Sequence, residues 1–275
     1  MQASATTNLA DAGTQAQITA RVSGRIACID WMRGLVMVLM IIDHASIAFD
    51  GTHVARDSAM YPDATTMALP AAAFFTRWIT HICAPTFVFL AGAALAISVE
   101  RRVMKGTSAW EIDKNILKRG AVIGLLDLTI ISLGSGYFNM GVLLAIGLSM
   151  ICMAGLRRLS TPVLLGLAVG WMVLGEWITG WLWNPPGPAT PLVSFLVATS
   201  GGQIVVNKYA LIPWLAIMMV GWVTGRYMLL YQAGLRSVRP RNILLVTGLV
   251  CLAVFFVVRG AQGYGDLFLP PMGYS

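Results

Sequence analysis

Long runs of apolar residues, broken by short polar or basic segments, dominate this chain. Several runs reach the roughly 17–25 residues that a helix needs to cross a hydrocarbon core about 30 Å thick. In lipid every backbone amide must be paired within its own segment, so runs of this length are expected to be helices. The alternating segments of about ten residues that are typical of a membrane barrel are not seen. The pattern therefore predicts an all-α, polytopic bundle of transmembrane helices.

The runs place about seven spans along the chain. Residues 190–206 are apolar but short and interrupted by glycine, so they are predicted to form a loop or a re-entrant segment. If they crossed the membrane, the sidedness of everything after them would invert. The predicted spans are 30–49, 72–98, 116–134, 140–156, 161–180, 209–230 and 243–259.

The two ends of the chain differ from this pattern. Residues 1–24 are rich in Ala, Thr, Gln and Ser, which predicts a disordered cytoplasmic tail. The first apolar run already contains Asp30 and Arg33, so we expect a true span there and not a secretory signal. Residues 25–275 are predicted to form one transmembrane domain.

Lys and Arg positions predict the orientation. With the N-terminus in the cytoplasm, fifteen of the nineteen Lys and Arg residues fall on the inner side, as the positive-inside rule requires. The outer side then holds the loop 50–71 and the loop 181–208. Trp177, Trp181 and Trp183 cluster at the outer end of the fifth span, as an interfacial aromatic belt would.

Composition agrees with a membrane protein and excludes other classes. Hydrophobic residues make up 57% of the chain, charged residues 11%, and mean hydropathy is +0.74. A soluble domain carries about 25% charged residues. The net charge of +7 does not indicate nucleic-acid binding, because the basic residues lie in short clusters between apolar runs. The four cysteines form no CxxC pair and are interpreted as small buried hydrophobes.

Eight ionisable side chains fall inside the predicted spans, where each costs about 2.5–3.5 kcal/mol at the membrane centre and usually marks function. They concentrate in the first two spans. The eight are Asp30, Arg33, Asp43, His44, Arg77, His81, Asp127 and Glu176.

Spacing predicts which of these side chains share a helix face. Arg33 and His44 are eleven residues apart, which is about 16 Å of rise and close to three full turns. Arg77 and His81 are an i,i+4 pair on the next helix. We therefore expect a cation near the cytoplasm, and His44, Arg77 and His81 in one polar layer of the outer half of the membrane.

A histidine in such a layer is a candidate general base for a hydroxyl or an amine. Asp43 adjoins His44 but lies about 100° round the helix, and Asp127 is another candidate partner. The alternative is a buried polar network that only joins helices. The basic pairs at the inner face, Arg101-Arg102 among them, are topology signals that are also suited to gripping phosphates. Five glycines are predicted to allow close helix packing: Gly92, Gly120, Gly124, Gly221 and Gly225.

The first span, Arg25-Ile-Ala-Cys-Ile-Asp-Trp-Met-Arg33 through Ile-Ile-Asp-His44, resembles the first transmembrane helix of the heparan-alpha-glucosaminide N-acetyltransferase-like family. Its Arg-x10-His spacing is similar to a signature of bacterial acyltransferase-3 membrane enzymes. The second span, Arg77-Trp-Ile-Thr-His81 through Gly92, resembles the bacterial branch of the same family. Weaker likeness extends through Phe138–Met150 and Ile212–Gly225.

The resemblance implies an enzyme that takes an acyl group from acetyl-CoA or another acyl-CoA and delivers it to a sugar or glycan, with His44 catalytic and Arg33 near the donor. With the ionisable residues above, the predicted catalytic set is His44, Asp43 and His81, and the donor-binding set is Arg33, Arg77, Arg101 and Arg102. No metal is expected. The expected partners are acyl-CoA, the acceptor, the lipid bilayer and a possible second copy, without nucleic acid, in a bacterial inner membrane.

Two features depart from the family pattern. In the animal lysosomal enzyme an Asn aligns with His44, and the important His lies in the following loop, near His53. Bacterial members also usually continue with more spans after the point where this chain ends, which leaves three alternatives: a short variant, a fragment or an inactive protein.

Two other function classes stay open on the sequence alone. His44, His81, Asp43 and Asp127 would serve equally well as the proton relay of a solute transporter. A non-catalytic membrane partner in a complex is the other alternative.

Overall fold

The computed structural model describes residues 24, 26–49, 79–135, 138–183, 189–198, 200–201 and 205–260. Several predictions concern residues outside this set and are therefore not taken up again as structure. They are the tail up to residue 23, the start of the second span at 72–78 with Arg77, the loop histidine His53, and the C-terminal residues from 261 onwards.

The described residues are nearly all helical, which confirms the predicted all-α class. Nine α-helices and one π-helical turn are present in this part of the chain. In order they are α1 (Ala27–Phe49), α2 (Cys83–Met104), α3 (Ala109–Leu126), the π-turn (Asp127–Ile131), α4 (Ser132–Ser135), α5 (Val142–Leu156), α6 (Thr161–Leu182), α7 (Pro191–Leu196), α8 (Leu211–Gln232) and α9 (Pro240–Gly260).

Four of these helices are long and apolar enough to cross a membrane: α2, α6, α8 and the stretch Pro240–Val258 of α9. α5 is apolar but shorter, at 15 residues or about 22 Å. The predicted count of seven spans and the cytoplasmic N-terminus stay predictions. We call the end of the bundle at Ala27 the inner end, following that predicted orientation.

Two helix boundaries lie well away from the predicted ones, each for a local reason. α2 continues to Met104, six residues past the predicted end, because Arg101 and Arg102 sit in its last turn, where cations suit the helix dipole. α3 begins at Ala109, not at residue 116, because the Ser108 hydroxyl accepts a hydrogen bond from the Glu111 amide and caps the helix.

The bundle is organised around α8, which packs against α2, α6 and α5, while α3 pairs with α5. Side chains from α2, α3, α5, α6 and α8 form the main core, with Trp222, Met153 and Leu164 among the most deeply buried. α1 packs against α2, and α9 makes its contacts mainly with α8. Both α1 and α9 present wide apolar faces outwards, as lipid-facing helices do.

Glycine sets the spacing at the two tightest helix pairs, as predicted. A Cβ at Gly221 or Gly225 of α8 would run into the α2 backbone at Phe89 or Ala93. On the α3–α5 pair, a Cβ at Gly120 would lie only 2.6 Å from the Gly147 carbonyl oxygen. Backbones that approach this closely gain packing contacts that lipid cannot supply.

The outer end holds a small sheet of strands β1 (Phe138–Met140), β2 (Ser200–Gly201) and β3 (Val205–Asn207). β3 is central, pairing in parallel with β1 and antiparallel with β2. The stretch 190–206, predicted as a loop or re-entrant segment, thus contains the six-residue α7, the strand β2 and the first two residues of β3. The buried Asn207 anchors β3 by donating to the Ser194 carbonyl.

Candidate functional site

A cavity of about 350 Å³ opens at the inner end, between the start of α1 and the end of α2. Its α1 wall is Ile26, Ile29, Asp30 and Arg33, and its α2 wall runs from Ala94 to Lys105. Since α2 runs inwards, Arg101, Arg102 and Lys105 lie towards the mouth, while Ala94 lies about 10 Å deeper than Arg101 and about 16 Å deeper than Lys105, with Arg33 on the facing wall. Three of the predicted donor-binding residues, Arg33, Arg101 and Arg102, therefore share one cavity. The fourth, Arg77, is outside the described residues.

The cavity is cationic, with four basic side chains and one acidic side chain in its wall. That acid, Asp30, lies 3.9 Å from Arg33, which leaves both groups partly exposed to the cavity. Arg101 has a buried Nε for which the described residues offer no hydrogen-bond partner. Its terminal nitrogen donates to the Gly24 carbonyl, just before α1. A buried guanidinium donor without an acceptor is costly, and an anionic ligand would satisfy it.

The face of α1 that meets α2 is a heptad stripe of Ile29, Val36 and Asp43. Positions seven apart differ by only about 20° round a helix. Ile29 and Val36 are buried, and Val36 is only 2% exposed, so the middle of this seam is dry. At the outer end the stripe becomes polar: Asp43 Oδ1 accepts a 2.7 Å hydrogen bond from the Thr80 hydroxyl.

His44 lies on a flank of α1, about 100° from Asp43 and only about 20° from Arg33. Its Nδ1 is 2.8 Å from the Met40 carbonyl oxygen. A carbonyl can only accept, so Nδ1 carries the ring hydrogen and Nε2 keeps its lone pair when the ring is neutral. The imidazole is exposed. This is the tautomer that a general base needs, and the Met40 carbonyl, not Asp43, holds it.

The structure brings the predicted site residues into two groups, one at each end of the α1–α2 seam. The inner group is the cavity with Arg33, Arg101 and Arg102. The outer group has Asp43 bonded to Thr80. On antiparallel helices His44 then lies one residue outwards of this bond and the exposed His81 one residue inwards, about 3 Å apart in height. None of the three outer residues lines the inner cavity. About 16 Å of helix separates Arg33 from His44.

Asp127, considered above as a partner for His44 or a proton relay, has a structural role in this fold. It is 2% exposed, and its Oδ2 accepts a 2.7 Å hydrogen bond from the Leu144 amide. Gly141 precedes α5 and has no side chain to cap it, and a Cβ there would lie 2.8 Å from both Asp127 carboxylate oxygens. Asp127 therefore caps α5 from another helix.

Other inner-end basic residues are engaged in ion pairs that join helices. The buried Asp113 at the start of α3 binds both Arg157 and Arg158, at the end of α5. Arg226 of α8 pairs with Glu100 of α2 at 2.8 Å. The basic residues in these pairs join helices, whereas Arg33, Arg101, Arg102 and Lys105 line the cavity.

Sequence reasoning did not single out Thr80, Ser98 or Lys105 as site residues. Ser98 and Lys105 line the cavity, and Lys105 follows Arg101 by one helical turn, a spacing visible in the sequence. Thr80 adjoins His81, but a hydroxyl in an apolar run gives no signal of its partner. Within the described ranges, no cluster of three or more His, Cys, Asp or Glu side chains could hold a metal ion.

Comparison with known proteins gives one match. The family described as heparan-alpha-glucosaminide N-acetyltransferase, catalytic, matches residues 25–258, which is most of the chain. The match begins just before α1 and ends within α9, so it includes both the inner cavity and the outer group of polar residues. No curated protein and no protein of solved structure matches the chain.

Proposed function

The chain belongs to the heparan-alpha-glucosaminide N-acetyltransferase family and is by that membership a membrane acetyltransferase, and we propose that it carries an acetyl or other acyl group from cytoplasmic acyl-CoA to a sugar or glycan acceptor. The observation that carries the proposal is the cationic cavity at the inner end of α1 and α2. Under the predicted orientation this cavity faces the cytoplasm of a bacterial inner membrane, where acyl-CoA is available.

The cavity wall suits the chemistry of a CoA. Guanidinium groups bind phosphate oxygens with paired hydrogen bonds, and Arg101 offers a buried donor that lacks an acceptor among the described residues. Between the cations lie Ile29, Ile97 and Ala94, which offer apolar surface to an arm of methylene and amide groups. Ser98 adds a hydroxyl that can bond an amide. Asp30 disfavours phosphate beside it, and its pairing with Arg33 offsets that effect.

The length of the donor connects the two groups of residues. The arm of CoA from diphosphate to sulfur has about thirteen bonds, or a little over four residue lengths of extended chain, roughly 16 Å. The rise along α1 from Arg33 to His44 is also about 16 Å. A fully extended arm from a diphosphate at the height of Arg33 therefore just reaches the height of His44. If the phosphates were bound only at the mouth, near Lys105, the thioester would fall about one arm length short of His44.

His44 is proposed as the general base. Its Nε2 takes a proton from the acceptor hydroxyl or amine while the acceptor oxygen or nitrogen bonds to the thioester carbonyl carbon. The carbon–sulfur bond then breaks, and the CoA thiolate takes up a proton, so that one acylated acceptor and one free thiol result. A protonated His81, at nearly the same height, is the candidate to supply the thiolate's proton; His44 then releases its proton to water and His81 takes one up from water, which restores both rings. Asp43 is proposed to act through its bond to Thr80, not by touching the His44 ring.

A transporter is less well supported by this geometry. A proton relay needs a series of titratable groups that are free to exchange protons along the membrane, and Asp127 is one of the four candidates. The Asp127 carboxylate is instead committed to the α5 N-terminus. The acceptor is proposed as a sugar on the family match, and the predicted second copy stays a proposal.

The test is transfer of radiolabelled acetyl from acetyl-CoA to glucosamine, with purified protein in detergent. We expect His44→Ala to lower turnover about 10²–10⁴-fold, the usual contribution of a general base, without changing acetyl-CoA binding. His53→Ala is the matched control, because His53 is the alternative base and the chain has only three histidines. Full activity in His44→Ala, or loss confined to His53→Ala, would overturn the assignment of the base.

A further inference from the structure

The Thr80–Asp43 hydrogen bond is a polar contact that joins the outer end of α1 to the segment entering α2. The hydroxyl donates at 2.7 Å, and Thr80 is only 4% exposed. Below it, the described seam is apolar at Val36 and Ile29, and it becomes polar again only where Arg101 donates to the Gly24 carbonyl at the inner end. A charge-assisted hydrogen bond has a narrow range of distance and angle, so at the outer end it constrains the register of the two helices more sharply than apolar contact does.

Each of the two histidines directly follows one member of this bonded pair along the chain. Asp43 precedes His44, and Thr80 precedes His81. Each imidazole is thus one residue from a member of the bonded pair. His44 is in turn held by the Met40 carbonyl on its own helix, so its height depends on where α1 sits.

We propose that Thr80 is a positioning residue for acyl transfer, whose bond to Asp43 holds His44 and His81 at nearly the same height so that one imidazole accepts the acceptor proton and the other supplies a proton to the departing thiolate. This inference rests on the proposed acetyltransferase function. It goes beyond it by assigning a role to Thr80, which contacts neither donor nor acceptor. Loss of the hydroxyl leaves both histidines present but lets α1 shift relative to α2.

The test compares Thr80→Val, which keeps the shape and removes the donor, with Thr80→Ser, which keeps the donor. Loss of one hydrogen bond to a charged group is expected to lower kcat of Thr80→Val about tenfold or more. KM for acetyl-CoA stays within about twofold, because the donor cavity lies about 16 Å inwards. Thr80→Ser recovers most of kcat. Thr224→Val is the matched control, since its hydroxyl only bonds the Val220 carbonyl on its own helix.

Two outcomes overturn the role of Thr80 while leaving the function intact. One is wild-type kcat in Thr80→Val. The other is a loss that Thr224→Val reproduces, or that Thr80→Ser fails to restore, because that pattern indicates general packing. If wild-type protein transfers no acetyl group at all, the proposed function fails instead.

A measurement without turnover tests the positioning directly. Diethyl pyrocarbonate labels accessible imidazoles, and mass spectrometry can follow the three histidines separately. The labelling rates of His44 and His81 relative to His53 are expected to change at least threefold in Thr80→Val and to return in Thr80→Ser. Unchanged relative rates in Thr80→Val contradict the proposal whether or not the acceptor is known.

Discussion

The seam between α2 and α8 and the seam between α1 and α2 share one helix but are built in opposite ways. Against α8, glycines let the backbones touch, and the contact is apolar along most of its length, with the Arg226–Glu100 ion pair at its inner end. Against α1, the contact narrows to a dry stripe at Val36 with a cationic cavity at one end and a polar bond at the other. Rigid packing and polar chemistry thus occupy different faces of α2. Because α2 is held closely against α8, the residues that α2 contributes to the cavity keep their positions. The looser contact with α1 leaves room for a ligand.

This comparison predicts that changes at the α2–α8 seam affect stability first. Gly221→Ala places a methyl group against the Phe89 backbone, and α2 and α8 must separate. We expect a loss of about 2–3 kcal/mol in the free energy of unfolding, measured by thermal or denaturant unfolding in detergent. Gly170→Ala on α6 is the control, because nothing lies within 4 Å of its Cβ position. Equal free energies of unfolding for the two variants would contradict close backbone packing between α2 and α8.

The outer cap gives a second, smaller effect on stability. Asp127→Ala leaves the Leu144 amide buried without its acceptor, at a cost of about 1–3 kcal/mol. Asp127→Asn keeps a carbonyl oxygen in place and should lose much less. Acetyl transfer per folded molecule should stay near wild type in both variants. A large loss of turnover in Asp127→Asn at unchanged stability would instead indicate that Asp127 takes part in the reaction.

These residues also show how far sequence alone reaches. Apolar run length and the spacing of Gly221 and Gly225 were enough to predict the helices and their close packing, because both are local periodic signals. The gathering of Arg33 with Arg101 and Arg102 follows from two antiparallel helices having their basic ends on the same side. Each of these signals lies within one or two neighbouring segments.

The remaining features depend on partners that sequence spacing does not reveal. Asp127 was interpreted as a possible relay residue because its partner is a backbone amide 17 positions away, exposed by a glycine that cannot cap its own helix. Thr80 was missed since its partner Asp43 is 37 positions away on another helix. The Met40 carbonyl that sets the His44 tautomer is a main-chain group, which has no residue-type signature.

The central claim is that Arg33 holds the phosphates of the donor while the reaction takes place one arm length outwards. It is tested most directly by comparing acetyl-CoA with S-acetylpantetheine, which keeps the thioester and arm but lacks the diphosphate and nucleotide. We measure kcat/KM of wild type and Arg33→Gln with both donors. We expect Arg33→Gln to lose about tenfold with acetyl-CoA, the value of one charge-assisted phosphate contact, and almost nothing with S-acetylpantetheine. An equal loss with both donors would contradict the claim, because Arg33 would then act on the thioester or the fold and not on the phosphates.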